Sequence, residues 1–519
     1  MEKIKTDYDI IIIGSGAGGA TLAYSLSRTG KQILLIERGD FLHREKENWD
    51  PYAVFVKNRY HTKERWYDKE GTSFTPGMNY YVGGNTKVYG AALLRLRKED
   101  FGEINHYGGL SPAWPLSYED FKPYYLEAEK LYTVHGLRGE DPTEPPDQNA
   151  YPYPPISHEP YIQTLSDRMQ GLKLHPFHLP LGLRLNEKNV EKSPCIRCDT
   201  CDGFPCLVHA KSDAHIACVL PALETGSVTL LTNANVLKLN ANAAGTSIES
   251  IEVEYQKEKV LFKAAIVVVA CGAINSAALL LRSKHPKHPN GMANSSSQVG
   301  RNYMFHQNSV MIAVSKERNP TRFQKTLALN DFYFNAPDSE LPLGHIQLLG
   351  NVKKEMLMEE APKFAPELAL EFLAEHCVGW WLTSEDLPDP NNRITLNAEG
   401  AIVLSYTPNN EEAHRRLLVK LKEILGQIGP HTHIFPNKVY LSQHVPIAGC
   451  AHQTGTIRFG KDPKTSVLDL NCKAHDLDNL YVVDGSFFPS IGAVNPTLTI
   501  IANALRVGAS LKNTFGYSN

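Results

Sequence analysis

Four short stretches of the chain are apolar without a break: Ile10 to Ile13, Ile33 to Ile36, Ile266 to Val269 and Leu480 to Val483. A strand with one wet face alternates apolar and polar residues, so unbroken runs this short and this rich in β-branched residues predict strands buried on both faces of a parallel sheet. Helical patterns run from about Gly18 to Arg28 and again after Gly272. A third helix starts at Ser117, with Asp120 in capping-box position three residues on, and it is expected to pack the domains together. A last helix is announced by Asn495 as cap and Pro496 as first residue, where a missing N–H is harmless. Val228 to Leu239 reads as a strand pair rejoining the same sheet.

Between about Val299 and Leu441 the pattern changes. Aromatic residues rise, and Asp331 to Phe334, His345 to Leu349 and Arg393 to Leu396 alternate between turn residues, as strands of an antiparallel sheet do. Such a sheet can wall a pocket, with Gln347, Trp380, Trp381 and Glu385 as possible wall residues. Proline and acidic residues dominate from about Glu140 to Pro155, as in an exposed connector at a domain crossing.

The turn after the first strand carries the first chemical signal. Gly14, Gly16 and Gly19 stand in Gly-x-Gly-x-x-Gly register, with Ala17 inside it, between a predicted strand and a predicted helix. Backbone without side chains lets the chain turn, lets it approach a pyrophosphate, and lets the helix lie close on the sheet. Free N–H groups at the helix start stabilise a phosphate. Glu37 closes the next strand at the distance expected of a carboxylate that binds a ribose hydroxyl. The strand, turn, helix, strand and acid, all in order, point to a dinucleotide and argue against a 2′-phosphate. They do not choose between FAD and NAD.

With 519 residues the chain is too long for one compact unit, so two domains are expected. A net charge of −3 and the lack of a basic run give no electrostatic footing for nucleic acid. No stretch approaches the roughly 18 consecutive apolar residues of a membrane span. The start of the chain has no signal-peptide pattern, so the expectation is a soluble, cytoplasmic protein.

Two further stretches are dense in information. Gly83, Gly84, Asn85 and Thr86 open a glycine-rich segment ending near Arg97, which suits backbone approached by a large flat group. Cys195, Cys198, Cys201 and Cys206 lie within twelve residues. An iron–sulfur or zinc site, a local disulfide and packed free thiols all fit that run, and no metal ligand is assigned.

Together these segments resemble the glucose-methanol-choline (GMC) family of flavoprotein oxidoreductases. Near the C-terminus, Cys450-Ala-His-Gln-Thr-Gly-Thr, Val482-Val-Asp-Gly-Ser-Phe-Phe-Pro and Val494-Asn-Pro-Thr-Leu-Thr are similar to its sugar-oxidising branch, the pyranose oxidases and bacterial C-glycoside 3-oxidases. The resemblance implies FAD as cofactor, in an α/β fold with an interrupted Rossmann-type domain and an antiparallel-sheet substrate domain. The FAD domain would comprise residues 1–110, 226–300 and 446–519. Residues 111–225 would form connecting and substrate-domain segments with the cysteine loop, and 301–445 the substrate domain. Val88 occupies the position where some members bond the flavin through histidine, so non-covalent FAD is implied.

The same resemblance places Gly14, Gly16, Ala17, Gly19, Glu37, Gly83, Gly84, Asn85, Thr86, Val236, Asp484, Gly485, Asn495, Pro496 and Thr497 at the cofactor. It makes His452 the base that takes a substrate hydroxyl proton, with Asn495 orienting that hydroxyl. An ordinary imidazole, with pKa near 6.5, is available as a base at neutral pH. His444, His306 and His475 lack the Gly-Thr context and are set aside. The implied reaction is oxidation of a secondary hydroxyl of a pyranose or glycoside to a ketone, with oxygen or another electron acceptor. A dehydrogenase using a quinone or protein acceptor, and a lyase, are the alternatives.

Overall fold

The computed structural model describes residues 5–358, 366–428, 433–436 (backbone only), 446–449 and 451–516. His444 and Cys450 lie outside the described residues. The four apolar runs join one sheet. Asp7–Ile13 pairs in parallel with Ile33–Ile36 on one side and Glu258–Val269 on the other, and Val228–Leu231 and Leu480–Val482 extend the parallel set at its two ends.

Glu258–Val269 serves two sheets' worth of pairing. Its second half pairs with the first strand and ends in the buried residues Val267, Val268 and Val269, while its first half, mostly exposed apart from buried Phe262, pairs antiparallel with Ile248–Tyr255. Ala234–Ala241 then pairs antiparallel with Ile248–Tyr255. The stretch from Val228 to Leu239 is therefore not a strand pair: its two strands take opposite edges of the sheet, because one continues the buried parallel set and the other the half-wet antiparallel one.

These five parallel strands share one carboxyl edge, and four of them lead there into residues of the nucleotide motifs: Gly14, Glu37, Gly272 and Asp484. In an open parallel sheet the carboxyl ends of the strands are where ligands bind, since the connections there diverge. Ala17–Leu26 leaves the first turn, and Thr497–Thr514 lies across it so closely that a Cβ on Gly508 would stand 2.5 Å from Ser25 Oγ. The helix predicted at Ser117 is Tyr118–Leu131, with its capping box formed by Ser117 and Asp120.

The second large sheet has six antiparallel strands in the order His433–Pro436, Gln307–Val314, Cys377–Ser384, His345–Leu348, Leu327–Leu329, Phe177–His178. Helix Glu411–Ile428 covers one face, burying Trp380, Met311 and Leu382 with Leu417 and Leu421. Successive strand residues point to opposite faces. Trp381 therefore turns away from that core, opposite Gln347 on the neighbouring strand.

Two strand predictions here are corrected. Asp331 to Phe334 is a turn, in which Phe332 and Tyr333 are buried by tertiary packing rather than by pairing. Arg393–Leu396 is a strand, but it pairs with Ile402–Ser405 in a separate four-stranded sheet completed by Trp66–Asp68 and Ser73–Phe74. Alternation identifies a strand without naming its partner.

Candidate active site

One cavity runs from the first glycine turn to the antiparallel sheet. At its first end it is lined by Gly14, Gly16, Ala17, Glu37 and Val236. The fit to a nucleotide is steric. A Cβ on Gly14 would stand 2.3 Å from Ala270 O, and one on Gly18 only 1.7 Å from Val483 O, so these glycines let backbone pack on backbone. Gly16 differs: a Cβ there meets nothing within 4 Å and would project into the cavity, leaving its room for a ligand. Glu37 is buried, and its carboxylate accepts from Ser15 Oγ at 2.6 Å, Ser15 N at 3.2 Å and Gly39 N at 3.0 Å. Burial pushes its pKa up while those donors hold it down.

Gly84, Asn85, Thr86 and Val88 line the middle, across from Asp484, Gly485 and Thr497. Asp484 knits the strand ends, accepting from Gly272 N at 3.0 Å and Ser486 N at 2.9 Å, with Ser276 Oγ as a further donor. Three residues predicted at the cofactor do not reach the cavity. Gly19 packs the helix on the sheet, its missing Cβ only 2.0 Å from Gly14 O. Gly83, at φ +100°, shapes the turn and donates its N–H to Ser15 Oγ at 3.1 Å. Pro496 is the N-cap of Thr497–Thr514, behind Asn495.

At the far end stand His452 and Asn495, with Asn495 Nδ2 3.3 Å from His452 Nε2. Asn495 is not the helix cap predicted for it; the cap falls one residue later, which frees the carboxamide for the histidine. Its Oδ1 is buried and has no hydrogen-bond partner among the described residues, so it is left to accept from whatever enters the cavity. Gln347 and Trp381 line the same end, whereas Trp380 lies in the core and Glu385 lies beneath the loop before Asn495.

His306, set aside in the sequence, is the residue behind His452: its Nδ1 is 3.0 Å from His452 Nδ1, and the rings stand at 88°. The cause is register. Residues 302–306 and 452–456 run antiparallel through the bridge between Met304 and Thr454, which sets 306 opposite 452. Gly455 permits the approach, since a Cβ there would be 2.3 Å from Asn302 O. His475, by contrast, is paired with Ser466 at 3.1 Å, away from the cavity.

Burial, reinforced by the Lys325 ammonium, pulls the His452 pKa down to about 4. Burial and the His452 ring drive His306 well below the ordinary value too. Both rings are therefore neutral at pH 7. Lys325 pairs with Asp202 at 2.7 Å, and both line the cavity wall; no sequence signal marked either.

Asp202 comes from the cysteine loop. Cys195, Cys198, Cys201 and Cys206 are free thiols, and among the described residues no group of three or more side chains is placed to hold a metal ion. Burial pushes Cys195 up to about 11 and Cys201 higher still. The loop is held instead by Lys211, whose Nζ donates to Cys201 O at 2.6 Å and Phe204 O at 2.9 Å. Among the described residues no helix is long and apolar enough to cross a membrane.

The chain is similar to known proteins along most of its length. Residues 178–308 and 388–504 match the two GMC oxidoreductase family models, and residues 12–43 match an NAD(P)-binding Rossmann-like domain. The chain is 30% identical to the 6'''-hydroxyparomomycin C oxidase of Streptomyces lividus over 97% of its own length and 91% of that protein's. It is also 30% identical to the paromamine 6'-oxidase of Streptomyces fradiae, over 96% and 90%. The fold matches crystalline pyridoxine 4-oxidase from Mesorbium loti with a TM-score of 0.70 at 18% identity, over 97% of this chain and 99% of that one. The chain thus belongs to the GMC oxidoreductase family and is an FAD-dependent oxidoreductase acting on CH–OH groups.

Proposed function

We propose that the enzyme oxidises a secondary hydroxyl of a pyranose or its glycoside to a ketone, with His452 as the base. The observation that carries this reading is the pairing of His452 Nε2 with Asn495 at the end of a cavity that begins at the glycine turn. In it, Gly14, Gly16, Ala17, Glu37 and Val236 would hold the adenosine and pyrophosphate portion of FAD, and Gly84 to Thr86, Asp484, Gly485 and Thr497 the remainder. FAD, when bound, supplies the two-electron acceptor for the hydrogen on the substrate carbon.

The chain's own residues handle the hydroxyl. A neutral His452 takes its proton on Nε2, and general-base help of this kind is worth roughly 10²–10⁴-fold. Asn495 directs the hydroxyl, with Nδ2 beside the imidazole and Oδ1 open to accept. The N-terminus of Thr497–Thr514 adds a positive potential at the same place, where negative charge is stabilised. Gln347, Trp381 and the Lys325–Asp202 pair offer the stacking surface and polar contacts a sugar ring requires.

Dioxygen as acceptor draws support from the two relatives named oxidases. The same names favour a second reading for the donor, since they specify 6-positions, which in a pyranose bear an exocyclic primary hydroxyl. Product analysis separates the two, a ketone from an aldehyde.

The reading is tested by mixing FAD-loaded enzyme with a panel of pyranosides without oxygen and following loss of flavin absorbance. His452→Ala is expected to keep its FAD and bleach about 10²–10⁴-fold more slowly. Unchanged bleaching rejects His452 as base. Admitting air then reports the acceptor: rapid return of colour with peroxide marks an oxidase, slow return a dehydrogenase.

A further inference from the structure

The hydrogen bonds behind His452 admit one arrangement of protons. His306 Nε2 lies 3.0 Å from Gly492 O, and a carbonyl can only accept, so that nitrogen carries the hydrogen. A neutral His306 then has a lone pair on Nδ1. The facing atom, His452 Nδ1, must donate into it, which leaves the lone pair of His452 on Nε2, toward Asn495 and the cavity.

We propose that His306 is a positioning residue that fixes the tautomer of His452, so that its basic nitrogen is the one facing the substrate. The proposal rests on His452 acting as the base. The proton given up by the hydroxyl goes to Nε2, and the resulting imidazolium keeps its Nδ1–H bond to His306, now charge-assisted. His306 is 1% exposed, so it acts through His452 and touches no substrate.

The support reaches further back. His306 holds φ +74°, a backbone state that is uncommon outside glycine and costs free energy unless its surroundings impose it. The peptide plane of the Gly492 carbonyl is fixed by its Ala493 N–H, which donates to Tyr333 Oη at 3.0 Å, and the preceding plane by Gly492 N–H, which donates to Glu385 Oε1 at 3.2 Å. Glu385 is held in turn by Ser111 Oγ at 2.7 Å. Gly492 sits at φ +62°, where a Cβ would stand 2.8 Å from Leu96 Cδ2.

The first test needs no turnover. In FAD-loaded enzyme with ¹⁵N-labelled histidine, the His452 ring, assigned by its loss in His452→Gln, is expected to show hydrogen on Nδ1 and a bare Nε2. Hydrogen on Nε2 overturns the proposal, whether or not His452 later proves to be the base. The second test compares two variants by anaerobic flavin reduction. His306→Asn keeps an acceptor near the position of Nδ1 and tolerates positive φ. It is expected within about threefold of wild type, while His306→Phe, without an acceptor, falls about 10–100-fold at unchanged KM, the loss of one to two hydrogen-bond increments. Equal losses in both variants would mean a packing role only. If His306→Phe does not retain FAD, the tautomer in the wild-type spectrum decides alone.

Discussion

The two ends of the cavity are built by opposite means. At the glycine-turn end the wall is mostly backbone, and Gly14, Gly16 and Gly18 matter for what they lack. At the far end it is side chains, and His306, His452 and Asn495 arrive from three segments of the chain, 146 residues separating the two histidines. A site made of absent side chains leaves a contiguous signature in the sequence. A site made of present ones leaves single letters far apart, and their meaning comes only from register.

That contrast can be broken by substitution. The largest effect is expected from Gly18→Ala, whose methyl would sit 1.7 Å from Val483 O. No side chain is there to move, so the sheet and helix must part, and the expected outcome is little folded, FAD-containing protein by absorbance and thermal melting. Gly16→Ala sharpens the same point. Its φ of −71° suits alanine and its methyl meets no protein atom, so the apo-protein should melt as wild type. FAD affinity, followed by titration, should weaken by about 1–3 kcal/mol through crowding of the ligand alone. If Gly16→Ala instead unfolds the apo-protein, the separation of ligand-facing from packing glycines is wrong.

At the other end, Asn495→Ala removes one directed contact and should slow anaerobic flavin reduction about 10–100-fold while FAD stays bound. The smallest effect needs no variant. Because burial depresses His452 to about 4, the proton-free base persists on acidification. kcat/KM measured after brief pH jumps should hold its plateau through pH 6 and fall only as the pH drops through about 4. An acid limb near 6.5 would mean an unshifted imidazole.

The legibility of the molecule divides along the same line. The sheet was readable because burial on both faces leaves unbroken apolar runs, and Gly14 to Glu37 because strand, turn, helix and acid are consecutive. His452 and Asn495 were readable through resemblance, and the structure adds that they lie 3.3 Å apart. His306 was not, because nothing near it in the chain says that Met304 will bridge Thr454. The Lys325–Asp202 pair was hidden in the same way, across 123 residues. The misplaced helix cap has another cause: asparagine before proline is a good cap in isolation, and tertiary demand for its carboxamide outweighed that preference. Gly19 and Gly83 belong to the glycine motifs but serve their geometry instead of the ligand.

The bridge between Met304 and Thr454 also sets a rule for rebuilding this enzyme. Deleting the residue between 304 and 306 would bring Gln307 opposite the imidazole, and deleting the one between 452 and 454 would bring Phe305 there, in place of its nitrogen acceptor. Chimeras that exchange the antiparallel domain for that of a relative should therefore be cut beyond residues 302–306 and 452–456, carrying the two segments together as a single cassette.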